Sequence, residues 1–221
     1  YTRAEDVAVD PDDNGRVYVA GNTNADLDSD GFNIHRGWTD AILFSLQRDR
    51  ANSYFVQWGT SANDSGLSVA IEAGADGGIF VTGDTGGAMD GETHQGGTDG
   101  FLVRWSKTGV RSWTRQFGTT AWDMGQEVAV DGVDGVFVTG FTEGTLIDGT
   151  PTAGSRDVFL GRWDTDGVWD WTRQWGTAQA DSGYSVVVDG SKNIYVAGST
   201  EEALDGNAYQ GNDDLFVSRF N

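Results

Sequence analysis

The feature that most constrains this chain is an internal repeat with a period of about 58 residues. The segment Val128-Ala129-Val130-Asp131 recurs as Val7-Ala8-Val9-Asp10, Val69-Ala70-Ile71-Glu72 and Val186-Val187-Val188-Asp189. A second apolar segment ends in glycine: Val17–Gly21, Ile79–Gly83, Val136–Gly140 and Ile194–Gly198. A third opens at Asp40, Asp99, Asp157 and Asp214, and a fourth closes on Trp58-Gly59-Thr60, Phe117-Gly118-Thr119 and Trp175-Gly176-Thr177. Each segment is short, rich in Val, Ile, Phe, Tyr and Trp, and bounded by Gly or Asp, which is the pattern of a strand. With 33 glycines in 221 residues, long helices have no clean stretch in which to form.

Four short strands per repeat read as one blade of a β-propeller. The expectation is an all-β fold of four blades, over 1–62, 63–121, 122–180 and 181–221, each of four antiparallel strands. The Val-rich first strand lies innermost, a tight Asp-Gly turn such as Asp131-Gly132 or Asp189-Gly190 leads to the second, and Trp113–Phe117 and Trp171–Trp175 are outer strands. In the third strand, Phe101, Val103 and Trp105 face one way, Leu102 and Arg104 the other. The pattern starts at a first strand and stops before a fourth, giving fifteen strands and a last blade without its outer strand. Such an edge is open to pairing. The expectation is therefore a larger ring, or one closed by a further part of the parent chain or by another chain.

Charge narrows the partners. There are 34 acidic side chains against 14 basic, a formal charge of −20, which argues against nucleic acid and anionic lipid surfaces. No apolar run approaches the ~20 residues of a spanning helix, so membrane insertion is not expected. The absence of cysteine excludes a disulfide framework and thiolate metal sites. Of the acids 27 are Asp, and of the bases 12 are Arg and two Lys. That bias fits either turn chemistry, with calcium neutralising some Asp, or the hydrated surface of a protein from a saline source.

Together, the Val-rich strand ending in Asp, the Val-Phe-Val-Thr-Gly segment, the Asp-opened third strand and the Trp-bearing fourth resemble the SBBP β-propeller repeats. The resemblance covers four copies and implies a propeller scaffold in an extracellular or cell-surface setting. It brings no catalytic motif. These copies are longer than is typical of such repeats, the extra length lying between the second and third strands.

That long connection carries Asp-Gly at 30–31, 90–91, 148–149 and 205–206, followed nine or ten residues later by a second Asp. One reading is a calcium site in each blade, with carboxylates supplying oxygen to a hard cation. The candidate ligands are Asp26, Asp28, Asp30 and Asp40, then Asp90 with Asp99, Asp148 with Asp157, and Asp205 with Asp214. Asp26–Gly31 opens like an EF-hand loop, but its twelfth position is Gly37 rather than an acid. The alternative is a plain turn, in which Asp bonds its own backbone and Gly supplies positive φ. A recurring Asp-x-Gly (Asp64, Asp123, Asp181) reads as a tie between adjacent blades, the alternative being a ring of Asp that binds cations or a polar ligand, and Gln57, Gln116 and Gln174 read as outer-strand hydrogen bonders.

Trp38, Trp122 and Trp169 fall outside the repeat pattern and are candidate ligand-stacking residues; the repeated Trp are packing. His35 and His94 show no zinc spacing, and no serine-nucleophile elbow or phosphate loop occurs. The sequence thus points to a non-enzymatic extracellular scaffold for adhesion, binding or assembly with protein or surface-glycan partners. The alternative is a carbohydrate-binding or carbohydrate-active propeller.

Overall fold

The computed structural model describes residues 1–13, 15–27, 37–47, 52–146 and 153–221. Among them are fifteen strands and no helix, in four antiparallel sheets whose strand order follows the chain. The first sheet comprises β1 (Thr2–Val9), β2 (Val17–Thr23), β3 (Asp40–Leu46) and β4 (Tyr54–Trp58). The second comprises β5 (Asp64–Ile71), β6 (Gly78–Thr85), β7 (Asp99–Ser106) and β8 (Arg111–Phe117). The third comprises β9 (Asp123–Val130), β10 (Gly135–Thr142), β11 (Asp157–Asp164) and β12 (Trp169–Trp175). The fourth has three strands, β13 (Asp181–Val188), β14 (Ile194–Thr200) and β15 (Asp214–Phe220).

The second and third sheets are apolar on both faces because each is sandwiched. Tyr18, Leu43 and Trp58 of the first sheet pack on Val69, Val81, Phe101, Val103 and Trp105 of the second. Phe80 and Leu102, on the reverse of the second, pack on Val128, Val138 and Phe159 of the third. Phe137, Val158 and Leu160 continue the pattern onto Val186, Val196 and Phe216 of the fourth. The strand period of two thus feeds alternate side chains into two different cores. One aromatic contact recurs at every junction: Trp58–Trp105 at 5.1 Å, Phe117–Trp163 at 5.2 Å and Trp175–Phe220 at 5.1 Å between ring centroids. Each such pair contributes about 0.5–1.5 kcal/mol beyond its area.

The first strand of each later sheet packs on the preceding sheet, as an innermost strand should. Polar bonds run along these inner strands as well. Asp6 accepts from Ser68 Oγ (2.9 Å) and Val69 N (2.8 Å), Ser68 Oγ from Val128 N (3.3 Å), and Glu127 from Val186 N (2.5 Å).

The sheets pack in succession and do not close. Val158 is fully buried against the fourth sheet, whereas its repeat equivalent there, Leu215, is 80% exposed. At the other end Val7 is 60% exposed, although its equivalent Val128 is 4% exposed.

The first connection within a blade differs from the tight Asp-Gly turn that the sequence suggested. Four residues separate β9 from β10 and five separate β13 from β14, because the Asp side chain organises the loop. Asp131 Oδ1 accepts from the backbone of Val133, Asp134 and Gly135, and Asp189 Oδ1 from Ser191 and Asn193. Gly132 has φ +74°, but in the longer loop the positive φ falls on Lys192, not on Gly190.

Candidate functional site: the acid-rich rim

In an up-and-down sheet the second strand ends, the third begins and the fourth ends at one edge, where the next sheet's first strand also begins. The described Asp-Gly pairs of the long connections, Asp90-Gly91 and Asp205-Gly206, and the Gly-Thr and Asp-x-Gly elements therefore come to one rim. Isolated parallel bridges, Thr39 to Asn63, Thr98 to Trp122 and Arg156 to Ala180, tie neighbouring sheets together there.

The repeated glutamines organise this rim. Gln116 Nε2 donates to Asp99 Oδ2 (2.7 Å) and to the Gly87 carbonyl (3.0 Å), while its Oε1 accepts from Met89 N (2.9 Å). Gln57 and Gln174 repeat all three bonds, with Asp40, Ala25 and Leu27 in one blade and Asp157, Gly144 and Leu146 in the other. Each thus anchors the long loop to the Asp that opens the third strand, a more specific task than outer-strand bonding.

That Asp also gathers the loop's own backbone. Asp99 accepts from Gln95 N (2.8 Å), Asp157 from Ala153 N (3.1 Å) and Asp214 from Gln210 N (2.7 Å). The Asp opening the next blade caps the Gly-Thr link: Asp64, Asp123 and Asp181 accept from Thr60, Thr119 and Thr177 N at 2.6, 2.6 and 2.5 Å. Burial pushes the carboxyls of Asp64, Asp123 and Asp157 up, and in each case the carboxylate across the junction (Asp40, Asp99 or Asp181) adds to the rise. Asp84 is likewise pushed up, to about 7, by burial and then by Asp64.

The Asp of the Asp-Gly pair does something else. Asp90 and Gly91 have φ of +53° and +87°, Asp205 and Gly206 of +52° and +77°, so both residues of each pair take the conformation of a type I′ corner. Glu92 N closes the first turn on the Met89 carbonyl (2.9 Å) and Asn207 N the second on Leu204 (3.0 Å). Asp90 pairs with Arg111 at 2.9 Å and accepts from Thr114 Oγ1, both on β8, rather than joining Asp99. Asp26 is exposed, near the described end of its loop. Asp28, Asp30 and Asp148, with His35, lie outside the described residues. Among the described residues no group of three or more His, Asp or Glu side chains is placed to hold a metal. The acids that converge are instead pairs: Asp40 with Asp64, Asp99 with Asp123, and Asp157 with Asp181.

Of the aromatic candidates, Trp38 is 82% and Trp122 58% exposed, both on this rim at successive junctions. Trp122 covers Gly97, where an added Cβ would sit 2.3 Å from the indole Cδ1. Trp169 is partly buried, donates from Nε1 to Thr172 Oγ1 (3.1 Å), and lines a hollow of about 160 Å³ with Trp163, Phe159, Leu146 and Arg115. The His94 ring nitrogen Nδ1 lies 3.3 Å from Asp99 Oδ2, within the blade-stabilising network.

These sheets define a propeller-type repeat protein. Residues 170–203, from β12 through β14, match the SBBP family, described as a beta-propeller repeat, and this stretch is an SBBP-type repeat. The chain is also similar to the "Regulatory protein FlaEY" of Caulobacter vibrioides, 27% identical over 163 residues. That similarity covers 66% of this chain but 17% of the relative, so the chain spans only about a sixth of the relative's length. No helix among the described residues is long and apolar enough to cross a membrane.

Proposed function

We propose that this chain is a segment of a non-enzymatic, extracellular or cell-surface propeller that serves as a binding, adhesion or assembly scaffold, with calcium among its stabilising ligands. The observation that carries the reading is the pair of uncovered end faces. Leu215, Val217 and Val187 on the fourth sheet and Val7 and Val9 on the first are exposed, although their equivalents at internal junctions form the cores. Exposed apolar faces of this kind mark protein contact sites. The internal junctions show what such a face fits: another blade, supplied by a further part of the parent chain or by another chain. The recurring polar residues support the scaffold reading too, since Gln, Thr and Asp of the rim are engaged in bonds that hold loops and blades. The similarity to a protein named as regulatory fits a role exerted through protein contacts.

Sedimentation velocity tests this. The chain should associate head to tail as its concentration rises, and Leu215→Glu should stay monomeric. A wild-type chain that is monomeric throughout, or a charged variant that associates equally well, contradicts the reading.

A second reading, glycan binding, is favoured by the exposure of Trp38 and Trp122 on one rim. It predicts glycan-array binding that is lost in Trp38→Ala or Trp122→Ala. An array without signal removes it.

A further inference from the structure

Taking a carboxylate out of water costs several kcal/mol unless an opposite charge or hydrogen-bond donors compensate it. At each internal blade junction two carboxylates are buried face to face. Asp40, Asp64, Asp99, Asp123, Asp157 and Asp181 are all at most 1% exposed. Among the described residues no Lys, Arg or His forms an ion pair with Asp123, Asp157 or Asp181. The available donors reach one oxygen of each later-junction carboxylate. Asp157 Oδ2 is held by Ala153 and Gln174, Asp181 Oδ2 by Thr177, and Asp99 Oδ2 by Gln95 and Gln116. Their other oxygens, Asp157 Oδ1, Asp181 Oδ1 and Asp99 Oδ1, are buried with no hydrogen-bond partner.

The glycine of the aromatic-Gly-Thr motif shows that at the two later junctions the unpartnered Oδ1 of the first Asp points toward the Thr-bonded Oδ2 of the second. A Cβ added at Gly176 would lie 2.6 Å from Asp157 Oδ1 and 2.8 Å from Asp181 Oδ2. At Gly118 it would lie 2.7 Å from Asp99 Oδ1 and 3.1 Å from Asp123 Oδ2, and at Gly59 2.9 Å from Asp40 Oδ1 and 2.7 Å from Asp64 Oδ2. None of these glycines has a positive φ, so the backbone does not demand glycine there. The space does: any side chain would fill the hollow onto which both carboxylates open.

Oxygen donors converging on a space without a side chain suit a hard cation. We propose that the two later blade junctions, Asp99 with Asp123 and Asp157 with Asp181, are calcium-type divalent-cation sites, each formed by the Asp that opens the third strand of one blade and the Asp that opens the first strand of the next. The Thr hydroxyl that caps the second Asp, Thr119 or Thr177, stands beside the pair as a further oxygen. Water completes the coordination sphere. The ion neutralises two buried charges and clamps consecutive blades, a role that holds whatever the end faces bind. It also relocates the metal from the Asp-Gly turns to the junctions.

The test uses the whole chain stripped with chelator and then titrated with calcium, the bound ions being counted by native mass spectrometry. Wild type should bind two ions at these junctions, and the near-isosteric Asp157→Asn and Asp181→Asn should each bind one fewer. Asp90→Asn, altered in a turn, should bind as wild type does. Terbium gives a second readout that does not depend on stability: Trp175, next to Gly176, should sensitise its emission, and Asp181→Asn should remove that component. The proposal is overturned if calcium does not bind, if either junction variant keeps the wild-type count, or if Asp90→Asn loses the ion instead. It is equally overturned if Asp157→Asn melts higher than wild type without metal and neither protein binds calcium, which would place a shared proton between the carboxyls.

Discussion

Removing the Lys107 ammonium leaves the Asp10 carboxylate buried between the first and second sheets without its counter-charge. Lys107 Nζ lies 2.6 Å from Asp10 Oδ2, and the side chains are 12% and 0% exposed. Asp10 lies at the end of the inner strand of one blade, and Lys107 in the β7–β8 hairpin of the next, so the pair spans a junction. At an effective dielectric of about 20 the gross attraction at this separation is on the order of 6 kcal/mol, much of it offset by desolvation of both ions. Truncating one partner is different from deleting the pair, because the remaining charge stays buried. Lys107→Met keeps the aliphatic stem and removes the charge, and should cost about 3–5 kcal/mol. For a chain of this size each kcal/mol moves the melting temperature by about 2–4 °C, so the expected loss is about 6–20 °C. The assay is thermal unfolding followed by circular dichroism, for Lys107→Met, Asp10→Asn and the double variant. The double variant should recover much of the loss, since no ion then remains buried. A Lys107→Met protein melting within about 2 °C of wild type would show a pair no stronger than one on an exposed surface, and would refute the reasoning.

Other perturbations test the rim and the loops. Gln174→Leu strips partners from Leu146 N, the Gly144 carbonyl and Asp157; it should cost about 2 kcal/mol or more and speed exchange of the Leu146 amide. Gly118→Ala pushes a methyl against Asp99 Oδ1 and should cost about 1–3 kcal/mol, read as a lower denaturant midpoint at unchanged slope. Burial alone would raise the Asp131 carboxyl, but the backbone N–H groups of Val133 and Gly135, and then Lys192, hold it below the usual carboxylate value. Its contribution is therefore present above the ordinary Asp range and lost as pH falls through the lowered value. Asp131→Asn should melt a few degrees lower at neutral pH, by about 1 kcal/mol, and show a shallower acid limb; parallel acid limbs would contradict this.

The strands were legible because a half-buried or doubly buried strand writes its period into the residues. Phe101, Val103 and Trp105 do face the first sheet, and Leu102 the third. Glycine and aspartate punctuation placed the breaks, and the fifteen described strands agree with the fifteen expected. The site was legible only in its parts. Asp90 and Asp99 are nine residues apart, and that closeness in sequence suggested a common ligand, yet the turn directs Asp90 to Arg111. The carboxylate that faces Asp99 belongs to Asp123, on the next blade, brought near by the parallel bridge between Thr98 and Trp122. Contacts between blades are set by how sheets stack, which no local spacing encodes. The aromatic-Gly-Thr motif held a usable signal: a glycine without need of positive φ marks a place where space itself is required. The hairpin loops are longer than their Asp-Gly pairs imply for a related reason, because a single Asp side chain accepting two or three backbone N–H groups stabilises a longer loop as readily as Gly supports a tight one.

Thiol accessibility tests the stacked-blade account most directly, because the chain has no cysteine of its own and any signal comes from the residue introduced. Val158 and Leu215 hold the same place in successive blades, one under a neighbour and one without. At low protein concentration, Leu215→Cys should react with a maleimide about as fast as a free thiol, while Val158→Cys should be protected by orders of magnitude until the chain unfolds. Equal reactivity at the two positions would mean that the sheets do not sandwich one another, and would contradict the account.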